Sequence, residues 1–333
     1  MAPTQQTPSP DRGKGFLCGL VAALAFAACT TTAPTTPTPQ PTPTPPDYPR
    51  TLVDDEGTTV EVEARPEKII SLSPAFTEIV FALGAGDRLV GGTDFDDFPP
   101  EAAALPDVAT FNGVIVERVV EQQPDIILAG GNNLTPQADV TRLRELGFDV
   151  LVTYPPTLAD VLGDITLIGR AIGADEEAAT LTGAMQERID EVTTAVAGLD
   201  RPRVFYEIGY QPEIYGPAPD SFVADMIELA GGEAITTSDP AVFSIALEAL
   251  VDADPEVIVL GDAAYEPCPL EVAERPGWEV MTAVQNSAVR PVNDLIVTRP
   301  GPRIAEGLAA LALAIHPDAA IGAPEDPREL CPV

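Results

Sequence analysis

The chain has 333 residues, with 52 acidic side chains against 18 basic ones, a formal charge of −34 and a single histidine. So acidic a surface makes nucleic acid and anionic membrane poor partners, because all of them carry the same sign. One imidazole cannot build a transition-metal receptor site, and no Gly-x-Ser-x-Gly elbow, phosphate loop or dinucleotide fingerprint supports an enzyme or a bound cofactor.

At the N-terminus, Arg12 and Lys14 precede an apolar run from Phe16 to Ala28, followed by Cys29. A basic start, a short apolar stretch and a small-residue processing site describe a signal peptide over residues 1–28 rather than a spanning helix. The cysteine after Ala27-Ala28 resembles the lipobox of bacterial lipoproteins, which would make Cys29 the lipidated first mature residue. Ordinary cleavage with a free Cys29 is the alternative. Residues 29–49 are almost wholly Thr and Pro beyond that cysteine. They cannot bury enough apolar surface to offset their ordering entropy, and at ~3.1 Å per residue they would form an extended tether of roughly 60 Å. The expected location is extracytoplasmic, with the membrane touched through the lipid anchor only.

About 280 residues then remain, enough for two lobes of ordinary domain size. Residues 51–63 read as a hairpin, and Lys68-Ile69-Ile70-Ser71-Leu72 as a short buried strand. Ser73-Pro74 supplies an N-cap and a first-turn proline for a helix ending near Gly84. Further apolar strands are expected at 125–131, 148–154, 203–209 and 256–262, with helices at 136–146, 157–172, 219–230 and 302–315. Such alternation implies parallel sheets covered on both faces. The stretch 158–199 breaks it with two consecutive helical patterns. The second, from about Asp175 to Ala197, would be ~35 Å long, suited to a strut between lobes. The expected organisation is an N-terminal α/β lobe over 50–172, an interdomain helix over 173–198 and a C-terminal α/β lobe over 199–333. The expected fold class is therefore α/β: two lobes with parallel-rich sheets flanked by helices, joined by a single long rigid interdomain helix. An internal echo fits two lobes: Glu117 stands seven residues before Pro124 and an apolar strand, and Glu248 seven before Pro255 and another. Beyond Cys29 the mature region keeps two cysteines, Cys268 and Cys331. In an oxidising exterior such a pair is expected to form a disulfide rather than a metal site.

The stretch Thr93-Asp94-Phe95-Asp96-Asp97-Phe98-Pro99-Pro100 has oxygen ligands that calcium prefers, but lacks the spacing, central glycine and distal glutamate of a calcium loop. Read locally, Asp97 is turn chemistry satisfying backbone N–H groups, Phe98 is core, and Asp94 and Asp96 are rim or solvated. The blocks 65–102, 105–113, 116–131 and 299–317 resemble, in order and spacing, the cobalamin and ferric-siderophore binding proteins of ABC importers. That resemblance implies a ligand cleft between the lobes, with Phe95, Phe111 and Asn112 on the N-lobe wall. Tyr210, Phe243 and the segment Asp294 to Arg299 would form the C-lobe wall. It also implies that Glu117 and Glu248 dock on arginines of the permease, which works with its ATPase; a simpler reading makes both glutamates stabilisers of helix starts. Core packing is likewise the simpler reading of Phe111, Phe243 and Tyr210. The N-lobe loops carry Asp94, Asp96 and Asp97 and no basic residue between Arg88 and Arg118, so a nearly neutral, amide-rich corrinoid suits them better than anionic ferric chelates or haem. A monomer is expected. A ferric-siderophore or haem binder, or a surface lipoprotein that scavenges or senses without a transporter, are the alternatives.

Overall fold

A computed structural model describes residues 48–132, 134–239, 241–263 and 268–325. The signal segment, Cys29, most of the tether and Cys331 lie outside these residues.

The first lobe opens with a hairpin of β1 (Arg50–Val53) and β2 (Thr59–Val62). It continues through β3 (Ile69–Ser71), α1 (Pro74–Ala82), β4 (Leu89–Thr93), β5 (Asp107–Thr110), β6 (Gly113–Val114), α2 (Val116–Gln122), β7 (Ile126–Gly130), α3 (Gln137–Glu145) and β8 (Val150–Thr153). Its sheet has the order β6-β5-β4-β3-β7-β8, parallel throughout except for the β5–β6 pair. Successive strands step one way from β3 to β4 and β5, and the other way from β7 to β8. The topological switch point therefore lies between β3 and β7, where an open α/β sheet leaves a crevice at its carboxyl ends.

Helix α4 (Leu158–Ile172) and the 22-residue α5 (Asp175–Val196) follow before the second sheet begins. A capping box of Thr157 and Asp160 starts α4, and Gly173 ends it in the left-handed conformation. Helix α5 buries Ala178, Met185, Ile189, Val192 and Val196, a stripe at helical spacing, and packs against both α4 and the last helix of the chain.

The second lobe contains β9 (Arg203–Glu207), β10 (Ile214–Tyr215), α6 (Phe222–Leu229), β11 (Glu233–Ala234), β12 (Ser244–Ile245), α7 (Leu247–Ala253), β13 (Val257–Leu260), α8 (Pro269–Ala273), α9 (Thr282–Gln285), β14 (Val289–Pro291), α10 (Asp294–Val297) and α11 (Ile304–Ile315). Its sheet, β11-β9-β13-β14, is wholly parallel, and β10 pairs antiparallel with β12 beside it. Cys268 at the start of α8 is disulfide-bonded. His316 caps α11 and its ring lies 3.1 Å from the Gly231 carbonyl, a packing role.

Period-two burial explains the layering. In β7, Ile126 and Leu128 face one core while Ile127 and Ala129 face another. In β13, Val257 and Val259 join the same first core, and Ile258 and Leu260 join a third. That first core is continuous through α1, α4, α5 and α11, so one apolar layer serves both lobes.

Candidate functional site

Two adjoining cavities open at the carboxyl ends of the first sheet. One, of about 420 Å³, is bordered by Phe95 after β4, by Phe111 and Asn112 between β5 and β6, and by Leu134 and Pro136 after β7. The other, of about 480 Å³, is bordered by Phe76 of α1, Thr153 at the end of β8 and Tyr154 just after it, Asp164 of α4, Phe222 of α6 and Arg299. They share Ser73, Pro74 and Leu134, which are the loops after β3 and β7. The crevice predicted by the strand order is therefore where the cavities lie.

Local chemistry turns Phe95 outward. Asp96, 6 % exposed, folds back so that Oδ2 accepts from Thr93 N at 2.8 Å and from the Thr77 hydroxyl at 2.9 Å, while Oδ1 accepts from the Thr93 hydroxyl at 3.0 Å. A Cβ on Gly92 would lie 2.1 Å from Asp96 Oδ2, so the glycine makes room for this staple. Burial raises the Asp96 carboxyl from its ordinary value, against the lowering effect of these hydrogen bonds. With its neighbour pinned, Phe95 is left 51 % exposed. Phe111 and Asn112 form the tip of a two-residue turn closed by the Thr110–Gly113 pair, with Gly113 at a φ of 110°. Phe111 is 87 % exposed there. An aromatic ring so placed contributes little to the core and leaves its face open beside the cavity.

The loop corrects the sequence reading in three places. Asp96, expected at the rim, is the turn-forming carboxylate, and Asp97, expected to cap the turn, instead accepts from Arg299 Nη1 at 2.6 Å. Adjacent residues in a tight turn point opposite ways, so assigning the wrong aspartate inverts both roles. Phe98, expected in the core, is 41 % exposed beneath the Arg303 guanidinium, 4.1 Å from the ring centroid. Nor does the Ser73 side chain cap α1; its neighbour Ser71 instead donates to the Ser73 carbonyl at 2.7 Å.

The expected second wall is less uniform. Arg299 borders the larger cavity, but its Nη1 is held by Glu78 at 3.1 Å and by Asp97. Arg303 donates from Nε and Nη2 to the two Glu78 oxygens at 2.9 and 2.7 Å. Glu78 of α1 is 3 % exposed, so this cluster ties the first lobe to the segment leading into α11. Tyr210 follows β9 and stacks under Arg275, with the guanidinium 3.8 Å from its ring, while Trp278 packs edge-on at 5.8 Å. Phe243, half exposed, precedes β12, and Asp294 opens α10. Tyr210, Phe243 and Asp294 border neither cavity. Sequence reasoning missed Asp164 and Thr153, both buried on the wall of the larger one.

The matched helices of the echo are alike in detail. Helices α2 and α7 each span seven residues, carry Glu117 or Glu248 in the first turn, and end in a left-handed residue, Gln123 or Asp254, before the proline and strand. Both glutamates are exposed.

The sequence profile of the periplasmic binding protein family matches residues 69–293. The chain belongs to this family. Its class, as the sequence resemblance implied, is that of the substrate-binding proteins of cobalamin and ferric-siderophore ABC importers. The uncharacterized ABC transporter substrate-binding lipoprotein YvrC of Bacillus subtilis is 33% identical over 276 residues, covering 81% of this chain and 87% of its own. A cobalamin-binding protein of Halobacterium salinarum is 32% identical over 283 residues, covering 81% and 74%. Among solved structures, the periplasmic vitamin B12 binding protein of Vibrio cholerae superposes with a TM-score of 0.67 at 26% identity, covering 75% of this chain and 97% of that one.

Proposed function

We propose that the protein is an extracytoplasmic lipoprotein, anchored through Cys29, that captures a corrinoid against Phe95 and Phe111 and delivers it to an ABC permease. The observation that carries this reading is the exposed aromatic pair at the smaller cavity, where 51 % and 87 % exposure leave two ring faces available for a large flat ligand. Charge supports a nearly neutral ligand over ferric catecholates or haem. The guanidinium at the cavity wall, Arg299, is already bound to Glu78 and Asp97, and Arg303 to Glu78. An anion would have to compete with these carboxylates and be desolvated beside an acidic loop. The named relatives from Halobacterium and Vibrio bind cobalamin, which agrees in kind.

Glu117 and Glu248 would be the permease contacts, one on each lobe, and a disulfide from Cys268 to Cys331 would fasten the C-terminal tail. The absorbance spectrum of protein purified from its native host tests the ligand, since corrinoids, haem and ferric chelates absorb differently. A corrinoid spectrum, with calorimetric binding of cobalamin or cobinamide, is the expected result. A haem or ferric-chelate spectrum, with no corrinoid binding, would replace it with the alternative importer cargo.

A further inference from the structure

The floor of the larger cavity is polar in an unusual way. Thr153 closes β8 at 3 % exposure and Asp164 lies in α4 at 7 % exposure, and both border the cavity. Thr153 Oγ1 and Asp164 Oδ2 make no well-formed hydrogen bond among the described residues, although the Thr153 and Asp55 side chains lie close enough to act on the Asp164 carboxyl. Buried polar atoms are rarely left unpaired, and a pair of them facing one cavity marks a place where a guest supplies the missing bonds.

The surrounding charges fix what kind of guest. Asp55, in the β1–β2 turn, faces Asp164 and accepts from Tyr154 N at 2.6 Å. Asp160, one turn earlier on α4, is held in the capping box with Thr157. Asp225 of α6 accepts from Leu158 N at 2.9 Å where α4 begins. Arg299 borders the same cavity but is bound to Glu78 and Asp97. Burial first, then Asp55 through its charge and a side-chain hydrogen bond, then the Asp160 carboxylate, push the Asp164 carboxyl up to about 8, against the lowering effect of the Thr153 hydroxyl. Near neutral pH it is therefore an uncharged acid, with one O–H donor and one carbonyl acceptor.

A neutral carboxyl beside a hydroxyl matches a primary carboxamide. The amide carbonyl takes the acid proton, and its two N–H groups reach the acid carbonyl and the Thr153 oxygen. An ionised carboxylate brings no donor and meets Asp55 and Asp160. Ser73, Pro74 and Leu134 border both cavities, so a ligand lying on Phe95 and Phe111 can extend a side arm to this floor. Resting on the corrinoid reading above, we infer that Thr153 and Asp164 form a carboxamide subsite that receives one amide arm of the corrinoid rim and discriminates against carboxylate-bearing ligands.

Titration calorimetry with cobinamide, and with a corrinoid whose side-chain amides are hydrolysed to carboxylates, tests this at about pH 6.5 and about pH 9. Wild-type protein should bind cobinamide about tenfold more weakly at the higher pH and prefer it to the carboxylate analogue by at least about tenfold, the scale of one good polar contact. Asp164→Asn keeps a donor and an acceptor, so it should bind cobinamide nearly as well and lose the pH dependence. Asp164→Leu and Thr153→Val should each weaken binding at pH 6.5 by about tenfold. If cobinamide binds wild type and all three variants alike, with a flat pH profile, the subsite is wrong and the corrinoid reading stands. If wild type binds no corrinoid at either pH, the corrinoid reading falls and the subsite falls with it.

Discussion

In the second lobe the buried carboxylate of Glu207, at the end of β9, meets Arg275 at 2.6 Å, and that guanidinium is itself covered by the Tyr210 and Trp278 rings. In the first lobe Asp164 is similarly buried but faces a hydroxyl and other carboxylates, with an open cavity in front of it. Glu207 is the last residue of a parallel strand, whereas Asp164 lies in α4 on the wall of the cavity that Thr153, at the end of β8, also borders. The difference is in the partner. A buried charge with a cation is internally balanced and serves the fold, whereas a buried acid kept neutral at a cavity is suited to an external partner. Glu78, with two arginines reaching it from the other lobe, belongs with Glu207.

The strongest way to break this comparison is at the paired site. Arg275→Ala would leave Glu207 without its cation in a fully buried position, and breaking such a pair typically costs about 3–5 kcal/mol. Urea denaturation should show a loss of that order, and Glu207→Gln combined with Arg275→Met should recover much of it, because matched apolar or neutral replacements remove the stranded charge. A loss below about 1 kcal/mol for the single variant would mean that Glu207 is balanced by other means.

At the unpaired site the effect is smaller and depends on pH. The carboxyl of Asp164 is raised to about 8 in the folded chain, against about 3.9 for an unfolded aspartate. Between those values the native state holds a proton that the unfolded state has released, so this contribution is fully present below about pH 4 and is lost as pH rises through about 8. A shift of this size corresponds to about 6 kcal/mol if fully expressed, and screening by water at the cavity mouth lowers that to something on the order of 3 kcal/mol. Asp164→Asn should flatten the fall in stability across this window while leaving other ionisations in place. Parallel denaturation profiles for the two proteins from pH 5 to pH 8 would show that Asp164 titrates normally.

Ligand affinity at the aromatic wall sharpens the contrast further. Phe95→Ala and Phe111→Ala should each weaken binding by roughly 1–3 kcal/mol through lost contact area. Because both rings are exposed, stability should change far less than the roughly 3–5 kcal/mol of a core Phe→Ala. Calorimetry with cobinamide and thermal melts of the same variants separate the two; unchanged affinity in both variants would remove these residues from the site.

Much of this architecture could be read from the chain. Apolar runs such as Ile126–Gly130 and Val257–Leu260 are bounded by Pro and Gly, so their burial on both faces follows from composition. Strand β4, Leu-Val-Gly-Gly-Thr, escaped because two glycines lower strand propensity, and tertiary packing against β3 and β5 overrides that. Motif resemblance singled out Phe95 and Phe111, and the structure leaves both rings exposed beside a cavity. The aspartate roles in the same loop were not legible, because Asp96 and Asp97 differ only in which way the turn throws them. Asp164 carried no signal at all. It sits in an amphipathic helix where an acid normally reads as solvent-facing, and the groups that act on it, Asp55 and Thr153, are not near it in the helical pattern. Such a site is created by tertiary contact, and local periodicity cannot announce it.

The smallest effect on the folded chain is expected where the two lobes are most alike. Glu117 and Glu248 lie in the first turns of α2 and α7, both exposed, and each helix leads through a left-handed residue and a proline into a central strand. The helix dipole favours a carboxylate at either place, worth about 0.3–1 kcal/mol at a surface. If that were their whole role, reversing the charge with Glu117→Lys or Glu248→Lys would cost stability of that order and nothing else. The proposed docking role separates from it by what is lost: ligand affinity unchanged, stability shifted by under about 0.5 kcal/mol, and binding to the permease weakened, because close interfacial charge pairs are strongly coupled. Binding of each single variant and of the double variant to the permease in nanodiscs decides between them. Weakening by each substitution, with a larger loss in the double, would show that two lobes present equivalent contacts to one transporter. Single variants that bind like wild type would reduce the likeness of α2 and α7 to shared fold geometry.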